Sequence, residues 1–341
     1  MNTFNAHDIA TGADTSLAVI DTGVTHSHPD LASVDAERSR AIHNGQIYSG
    51  EKVIDIRRNP TQWLPLTQEA QLPVASDIDG HGTHVAGIAA ASSSESGITG
   101  VAPEATIVSL RTGAYQKTGN GYSQLQITVA DVLLAIDYAT EIGVDVANIS
   151  LILGPLSEGI ERRRYFAAFR RLVQYAIEQG TVVVVAGGNQ DTDIEENPLY
   201  VLPSTNRGVI SVGSTGPNDR RYYDSNFGEG VIDVAASGGG YETEEKTHST
   251  DDVDWPHPTN QVLSTAPEMI YGQRYRYDLG TSMAAPQVAG LACLIRELKP
   301  DLHPRRVKQA IERSAVDVSG PDASELGAGR IAVLNTVERV V

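Results

Sequence analysis

Four short segments carry the residue types of nucleophilic catalysis. Asp21 follows the apolar run Leu17–Ile20 and precedes Thr22-Gly23, which places a carboxylate where a buried strand ends and the chain turns. His81 lies between Gly80 and Gly82, just ahead of a small-residue helix predicted over Val85–Ala91, so little side-chain bulk surrounds its imidazole. Asn189 offers an amide donor beyond Gly187 and Gly188, at the end of the apolar run Thr181–Ala186. Ser282 stands in the first turn of a helix predicted over Thr281–Leu298, where backbone N–H groups lack partners and favour an anion. Taken singly, each has a plainer reading. Asp21 and Asn189 suit turns, Ser282 suits a helix cap, and an isolated histidine is usually structural. What points to a site is that all four fall at a strand end or a helix start, where ligand sites of α/β sheets assemble.

The elements that must position them are legible from periodicity. Runs rich in Val, Ile and Ala at Leu17–Ile20, Thr106–Leu110, Val144–Ile149, Thr181–Ala186, Val209–Val212 and Val231–Ala235 are strands buried on both faces, as in a parallel sheet. Between them lie helical segments, notably Gln124–Glu141, whose Val129, Val132, Leu133, Ile136 and Ala139 share a face, with Ser123 as the expected cap; Glu161–Gln179 is another. This alternation predicts a single three-layer α/β/α domain over residues 1–341 with a mostly parallel central sheet. Two stretches interrupt it, Ala32–Asp77 and Gly238–Gln261, and both are expected to be surface insertions. The second holds His248, Asp251, Asp252, Asp254 and His257, but their spacing matches no ordinary metal-ligand pattern and reads as a solvated loop.

Composition narrows the function further. With 26 Lys and Arg against 43 Asp and Glu, the chain has a net charge of −17, which disfavours a nucleic-acid partner because phosphate recognition needs clustered cations. A single cysteine, Cys293, permits no intramolecular disulfide. No apolar run is long enough to span a bilayer, and no secretory leader precedes the domain, so the chain as written is expected in the cytoplasm, a trimmed secreted form being the alternative.

The segments Val19-Ile20-Asp21-Thr22-Gly23, Gly80-His81-Gly82-Thr83-His84-Val85-Ala86-Gly87 and Gly280-Thr281-Ser282-Met283-Ala284-Ala285-Pro286 resemble the three signatures of the subtilisin-like serine proteases, the subtilases, in the order Asp, His, Ser. Gly100-Val101-Ala102-Pro103, Asn148-Ile149-Ser150-Leu151, Ala186-Gly187-Gly188-Asn189 and Gly327-Ala328-Gly329-Arg330-Ile331 extend the resemblance over nearly the whole chain. It implies a subtilisin-like fold and a serine endopeptidase that works through an acyl-enzyme, with Ser282 as nucleophile, His81 as general base, Asp21 as its orienting carboxylate and Asn189 as an oxyanion donor. Polypeptide substrates would pair with Ser150, Leu151 and Ile152 on one side and Gly119, Asn120 and Gly121 on the other, with Gly187 and Gly188 lining the primary pocket. Of the departures from the family pattern, Ile152 and Val201 bear on the substrate cleft and pocket, and Leu279 before Gly280-Thr281-Ser282 has no physical explanation in the sequence. The resemblance also implies a structural calcium held by Asp30 and the loop around Ser94, weakened here because a serine replaces the usual amide ligand. No further cofactor is implied, and the inhibitory pro-segment of many relatives is expected to be absent. Two alternatives share the sequence features: a peptide ligase or macrocyclase using the same acyl-enzyme, and a catalytically silent binding module.

Overall fold

The apolar runs pair into one sheet because each has hydrophobic side chains on both faces and each face is covered by helices. A computed structural model describes residues 2–58, 66–92, 97–151, 153, 160–196, 201–318 and 323–341. In chain order its strands are β1 (Ser16–Asp21), β2 (Arg40–His43), β3 (Gln46–Tyr48), β4 (Glu51–Arg58), β5 (Leu66–Pro73), β6 (Thr106–Thr112), β7 (Ala114–Lys117), β8 (Ser123–Gln126), β9 (Val146–Ile149), β10 (Val182–Ala186), β11 (Ile210–Thr215), β12 (Val234–Ser237), β13 (Val262–Thr265) and β14 (Tyr275–Asp278). The helices are α1 (Thr3–Ala6), α2 (His81–Ala90), α3 (Val129–Glu141), α4 (Ile160–Glu178), α5 (Glu244–His248), α6 (Glu268–Tyr271), α7 (Thr281–Leu298), α8 (Pro304–Ser314) and α9 (Val333–Val340).

The central sheet has 8 strands in the order β12-β11-β10-β9-β1-β6-β2-β3, parallel except at β3, which returns antiparallel beside β2. Strand alternation sends Leu17, Val19, Val182 and Val184 into one core with α2, α7, α8 and α9, and Ala18, Ile20, Val183 and Val185 into the other with α3 and α4. This is the three-layer α/β/α architecture expected from the sequence. β1 lies between β9 and β6, where strand order reverses, and its carboxyl end carries Asp21.

The structure corrects several boundaries. Helix α3 begins at Val129, not Gln124, because Thr128 accepts from the Asp131 N–H (3.1 Å) while the Asp131 carboxylate takes the Thr128 N–H (3.3 Å), a reciprocal capping box. Residues 123–126 instead form β8, which pairs with β7, so Ser123 is a strand residue and not a cap. Strand β12 starts three residues later than expected, and α2 includes His81 itself. The stretch 32–77 is only partly an insertion: β2 and β3 belong to the central sheet, and only the β4–β5 hairpin stands apart. That hairpin shares a small core with β7 and β8 through Ile56, Ile78, Tyr115, Leu72 and Leu125. The stretch 238–261 contains α5 and is tied down by the buried Thr247 and Asn260, the Asn260 side-chain amide donating to the Thr247 carbonyl at 2.7 Å.

Candidate active site

Asp21, Ser150, Asn189 and Ser282 converge on the carboxyl ends of β1, β9 and β10 and the start of α7. Asp21 is fully buried, and its Oδ1 is bonded to His81 Nδ1 at 2.7 Å and accepts the Thr22 N–H at 2.7 Å. Among the described residues its Oδ2 is buried with no hydrogen-bond partner. His81 is the first residue of α2, held against β1 by a close backbone approach: a Cβ on Gly82 would come within 2.2 Å of the Gly23 carbonyl oxygen. Burial works against the His81 cation, but the charge and hydrogen bond of Asp21, helped by Asp79, outweigh it and hold the imidazole above its ordinary pKa; Arg276 opposes them. The neighbouring His84 is a different case. It is wholly buried, its Nε2 lies 3.2 Å and 3.1 Å from the Val262 and Arg276 carbonyls, and burial lowers its pKa to about 3. It is a neutral strut between α2 and the β13–β14 hairpin.

Ser282 follows Gly280 and Thr281 into α7, and its hydroxyl donates to the Ser150 carbonyl at 3.1 Å. Pro286, four residues on, has no N–H to give the Ser282 carbonyl; the Ser150 hydroxyl supplies that bond at 3.0 Å. The proline is therefore accommodated by a specific partner as well as by its early position. Thr281 sets the neighbouring donor. Its N–H (2.9 Å) and hydroxyl (3.0 Å) are bonded to Asn189 Oδ1, which fixes the amide orientation and turns Nδ2 away from them. Thr281 Oγ1 also accepts the Gly188 N–H at 3.0 Å. Gly280, at φ +121°, is required by the same contact, since a Cβ there would lie 2.8 Å from Asn189 Nδ2.

The remaining predicted residues have different settings. Ser150 is buried beside Ser282 and Leu151 is half-buried, whereas Ile152 lies outside the described residues. Gly119, Asn120 and Gly121 form the exposed turn between β7 and β8, closed by the Thr118 N–H on the Tyr122 carbonyl at 2.8 Å. Gly187 faces inward, where a Cβ would meet Ile232 at 2.8 Å; both glycine carbonyls are engaged by Asn226, at 3.0 Å and 2.8 Å. Val201 packs in a buried cluster with Ile194 and Ile232 next to Gly187. Four supporting residues have no role assigned from the sequence: Thr22, Asp77, Asp79 and Thr281. The first and last are neighbours of Asp21 and Ser282, and the other two lie two and four residues before His81.

Asp30 is buried, and its Oδ2 accepts the Ile98 N–H (3.1 Å) and the Tyr275 hydroxyl (2.8 Å), while Gly97 lies so close that a Cβ would approach Oδ1 within 2.2 Å. Calcium takes six to eight oxygen ligands. Asp30 Oδ2 is thus a hydrogen-bonded carboxylate oxygen; Ser94 lies outside the described residues, and among the described residues no group of three or more His, Cys, Asp or Glu side chains could hold a metal ion, so a calcium ion at Asp30 would draw its other oxygens from carbonyl, amide or hydroxyl groups. The calcium expected from the resemblance is tested by thermal unfolding: a cation bound to the native state makes Tm rise with its concentration, so Tm should be higher in millimolar calcium than in excess chelator, and equal values would rule the site out.

A family model described as the subtilase family matches residues 12–329. The chain belongs to the subtilase family. It is 33% identical over 334 residues to a thermophilic serine proteinase of Bacillus sp. (strain AK1), spanning 97% of this chain and 64% of that protein. It is 31% identical to thermitase of Thermoactinomyces vulgaris, spanning 92% of this chain and 86% of the relative. Among solved structures, a protease from Pseudoalteromonas arctica PAMC 21717 superposes with a TM-score of 0.71 at 26% identity, covering 100% of this chain and 94% of the other. A lanthipeptide protease gives 0.72 at 25% identity, covering 100% and 92%. As a subtilase, the chain is a subtilisin-like serine endopeptidase that acts through an acyl-enzyme on polypeptides. Among the described residues no helix is long and apolar enough to cross a membrane.

Proposed function

We propose that Ser282, His81 and Asp21 are the catalytic triad of this endopeptidase, with the Asn189 Nδ2 amide and the Ser282 backbone N–H as its oxyanion hole. The observation that carries the assignment is the 2.7 Å bond between the fully buried Asp21 carboxylate and His81 Nδ1, made at the same sheet edge as Ser282. With Nδ1 committed to Asp21, the tautomer that holds a proton there leaves Nε2 as a lone-pair base. Rotation of the Ser282 side chain away from the Ser150 carbonyl brings Oγ to that base, an adjustment expected on substrate binding. Oγ then adds to the scissile carbonyl and its proton passes to His81; the C–N bond breaks as His81 returns the proton to the leaving amine. Water repeats the sequence on the ester and regenerates the serine. Negative charge on the carbonyl oxygen is met by Asn189 Nδ2 and the Ser282 N–H at the helix start, where the α7 dipole adds to the attraction. The extended substrate would lie against Ser150–Leu151, and Val201 beneath the Gly187 region supports a shallow pocket with a preference for modest side chains.

The experiment that tests this is covalent labelling with a fluorophosphonate followed by peptide mapping. Modification of Ser282, abolished in His81→Ala, supports the assignment; stoichiometric modification at another serine sinks it.

The pH profile offers a second check. His81 must be neutral to accept a proton, and its pKa is raised by Asp21 and Asp79. The acid limb of kcat/KM is therefore expected at a midpoint above about 6.5. Asp79→Asn removes a negative charge near the imidazole and leaves the Arg57 guanidinium, now 3.1 Å from Asp79 Oδ2, without that carboxylate. Both changes disfavour the imidazolium, so the midpoint should move down. A midpoint that stays put or rises would contradict the electrostatics described above.

A further inference from the structure

Helix α2 has an N-terminus that its own cap cannot satisfy. Its N-cap is Gly80, at φ 111°, which has no side chain to accept from the first turn. That work falls to Asp77, buried at 3% exposure three residues earlier. Its Oδ1 accepts the Asp79 N–H (3.0 Å), the Gly80 N–H (2.8 Å) and the Thr22 hydroxyl (2.8 Å), while Oδ2 accepts the Thr83 N–H (2.7 Å) and the Thr83 hydroxyl (2.5 Å).

Thr22 makes this more than a helix cap. It directly follows Asp21; its N–H binds Asp21 Oδ1 at 2.7 Å, and its hydroxyl, while donating to Asp77, accepts the Gly82 N–H at 2.9 Å. Thr83 extends the grip to the loop after β1, where its hydroxyl accepts the Thr25 N–H at 3.0 Å. One carboxylate thus holds the residue after Asp21 and the residues on both sides of His81. The segment that delivers Asp77 is fastened in turn by the buried Arg111, whose Nε donates to the Val74 carbonyl at 2.6 Å and whose charge lies within electrostatic range of Asp77.

We propose that Asp77 is a positioning residue for the reaction: it clamps the end of β1 to the start of α2 and so fixes the Asp21–His81 distance and the direction of Nε2. It touches neither substrate nor the reacting atoms. Its effect is on kcat, because misplacement of a catalytic group by about 1 Å is enough to cost about 100-fold. The inference rests on the triad assignment above.

The test compares Asp77→Ala, Thr22→Val and Thr22→Ser with the wild type on a peptide substrate, well below each variant's Tm, using active-site titration to count competent enzyme. Asp77→Ala is expected to lower kcat per titrated site by about 100-fold with KM changed less than about threefold. Thr22→Val removes one bond of the clamp and should give about a tenfold loss of kcat, which Thr22→Ser restores to within about twofold because it keeps the hydroxyl. Proton NMR adds a signature that lost stability alone would not produce: the downfield resonance of the proton between His81 Nδ1 and Asp21 should shift or broaden in Asp77→Ala and Thr22→Val and return in Thr22→Ser. The proposal is overturned if kcat per titrated site is unchanged, if the loss falls on KM, or if the resonance is the same in all variants. Should Asp77→Ala fail to fold, the Thr22 pair decides by the same criteria. Failure of the triad assignment would look different, since Ser282→Ala would then retain cleavage whatever the Asp77 and Thr22 variants did.

Discussion

Ser282→Ala is expected to lower kcat for peptide hydrolysis by about 10⁶, the loss seen when subtilisin loses its nucleophile, with KM nearly unchanged. The reason is local. The hydroxyl is the proposed nucleophile in the first turn of α7, and its resting bond is to the Ser150 carbonyl at 3.1 Å. Removing Oγ removes the covalent step but leaves Asn189, the α7 N-terminus and the substrate-binding backbone in place. Cleavage of a peptide library by purified variant and wild type, followed by mass spectrometry, gives the ratio. A variant that cleaves at the wild-type rate would end the acyl-enzyme assignment to this residue. The alanine variant should also keep a Tm within a few degrees of the wild type, since the hydroxyl's bond to the Ser150 carbonyl, at 3.1 Å, is a single part-buried one.

Asn189→Ala should lower kcat by about 10²–10³ and leave KM within about threefold, again a range taken from subtilisin. A donor aimed at the oxyanion interacts with charge that exists only in the transition state, so its loss falls on kcat. The orientation of the amide makes a sharper comparison available. Because Asn189 Oδ1 is held by the Thr281 N–H and hydroxyl at 2.9 Å and 3.0 Å, Asn189→Asp can keep those bonds while presenting a second oxygen to the developing negative charge. It is expected to be slower than the alanine variant. Gly280→Ala tests the same geometry from the other side, because its Cβ would meet Nδ2 at 2.8 Å and its φ of +121° is strained for any other residue. If Asn189→Ala raised KM and spared kcat, the amide would be a substrate contact and not an oxyanion donor.

The layered architecture was open to a reading of the sequence because its cause is repetitive. Alternate residues of β1 and β10 feed two different cores, so a run such as Val182–Ala186 must be apolar throughout, and a strand buried on both faces announces itself. Boundaries were less legible. Helical periodicity extends past the true start of α3 and takes in Gln124; the Thr128–Asp131 capping box marks that start, and the cross-strand partner of Ser123–Gln126 is out of reach of any local window. The stretch 32–77 shows the same limit, since the pairing of Arg40–Ile42 with Leu110–Thr112 joins segments about seventy residues apart and cannot be seen in either one.

For the site, the sequence by itself determined which residues are chemically able to act: Asp21, His81, Asn189 and Ser282 each lie in a distinctive short motif at the end of a legible element. Only the tertiary structure decided how they are held. The Asp77 carboxylate that clamps Thr22 to Thr83, the Thr281 donors that turn the Asn189 amide, and the Ser150 hydroxyl that fills the gap left by Pro286 act between segments distant in the chain or through geometry that no spacing encodes. Reactivity is a property of residue type and can be read from a motif. Placement is a balance of hydrogen bonds and close contacts among neighbours that exist only after folding, which is why Asp77 appears in the sequence as nothing more than the end of an insertion.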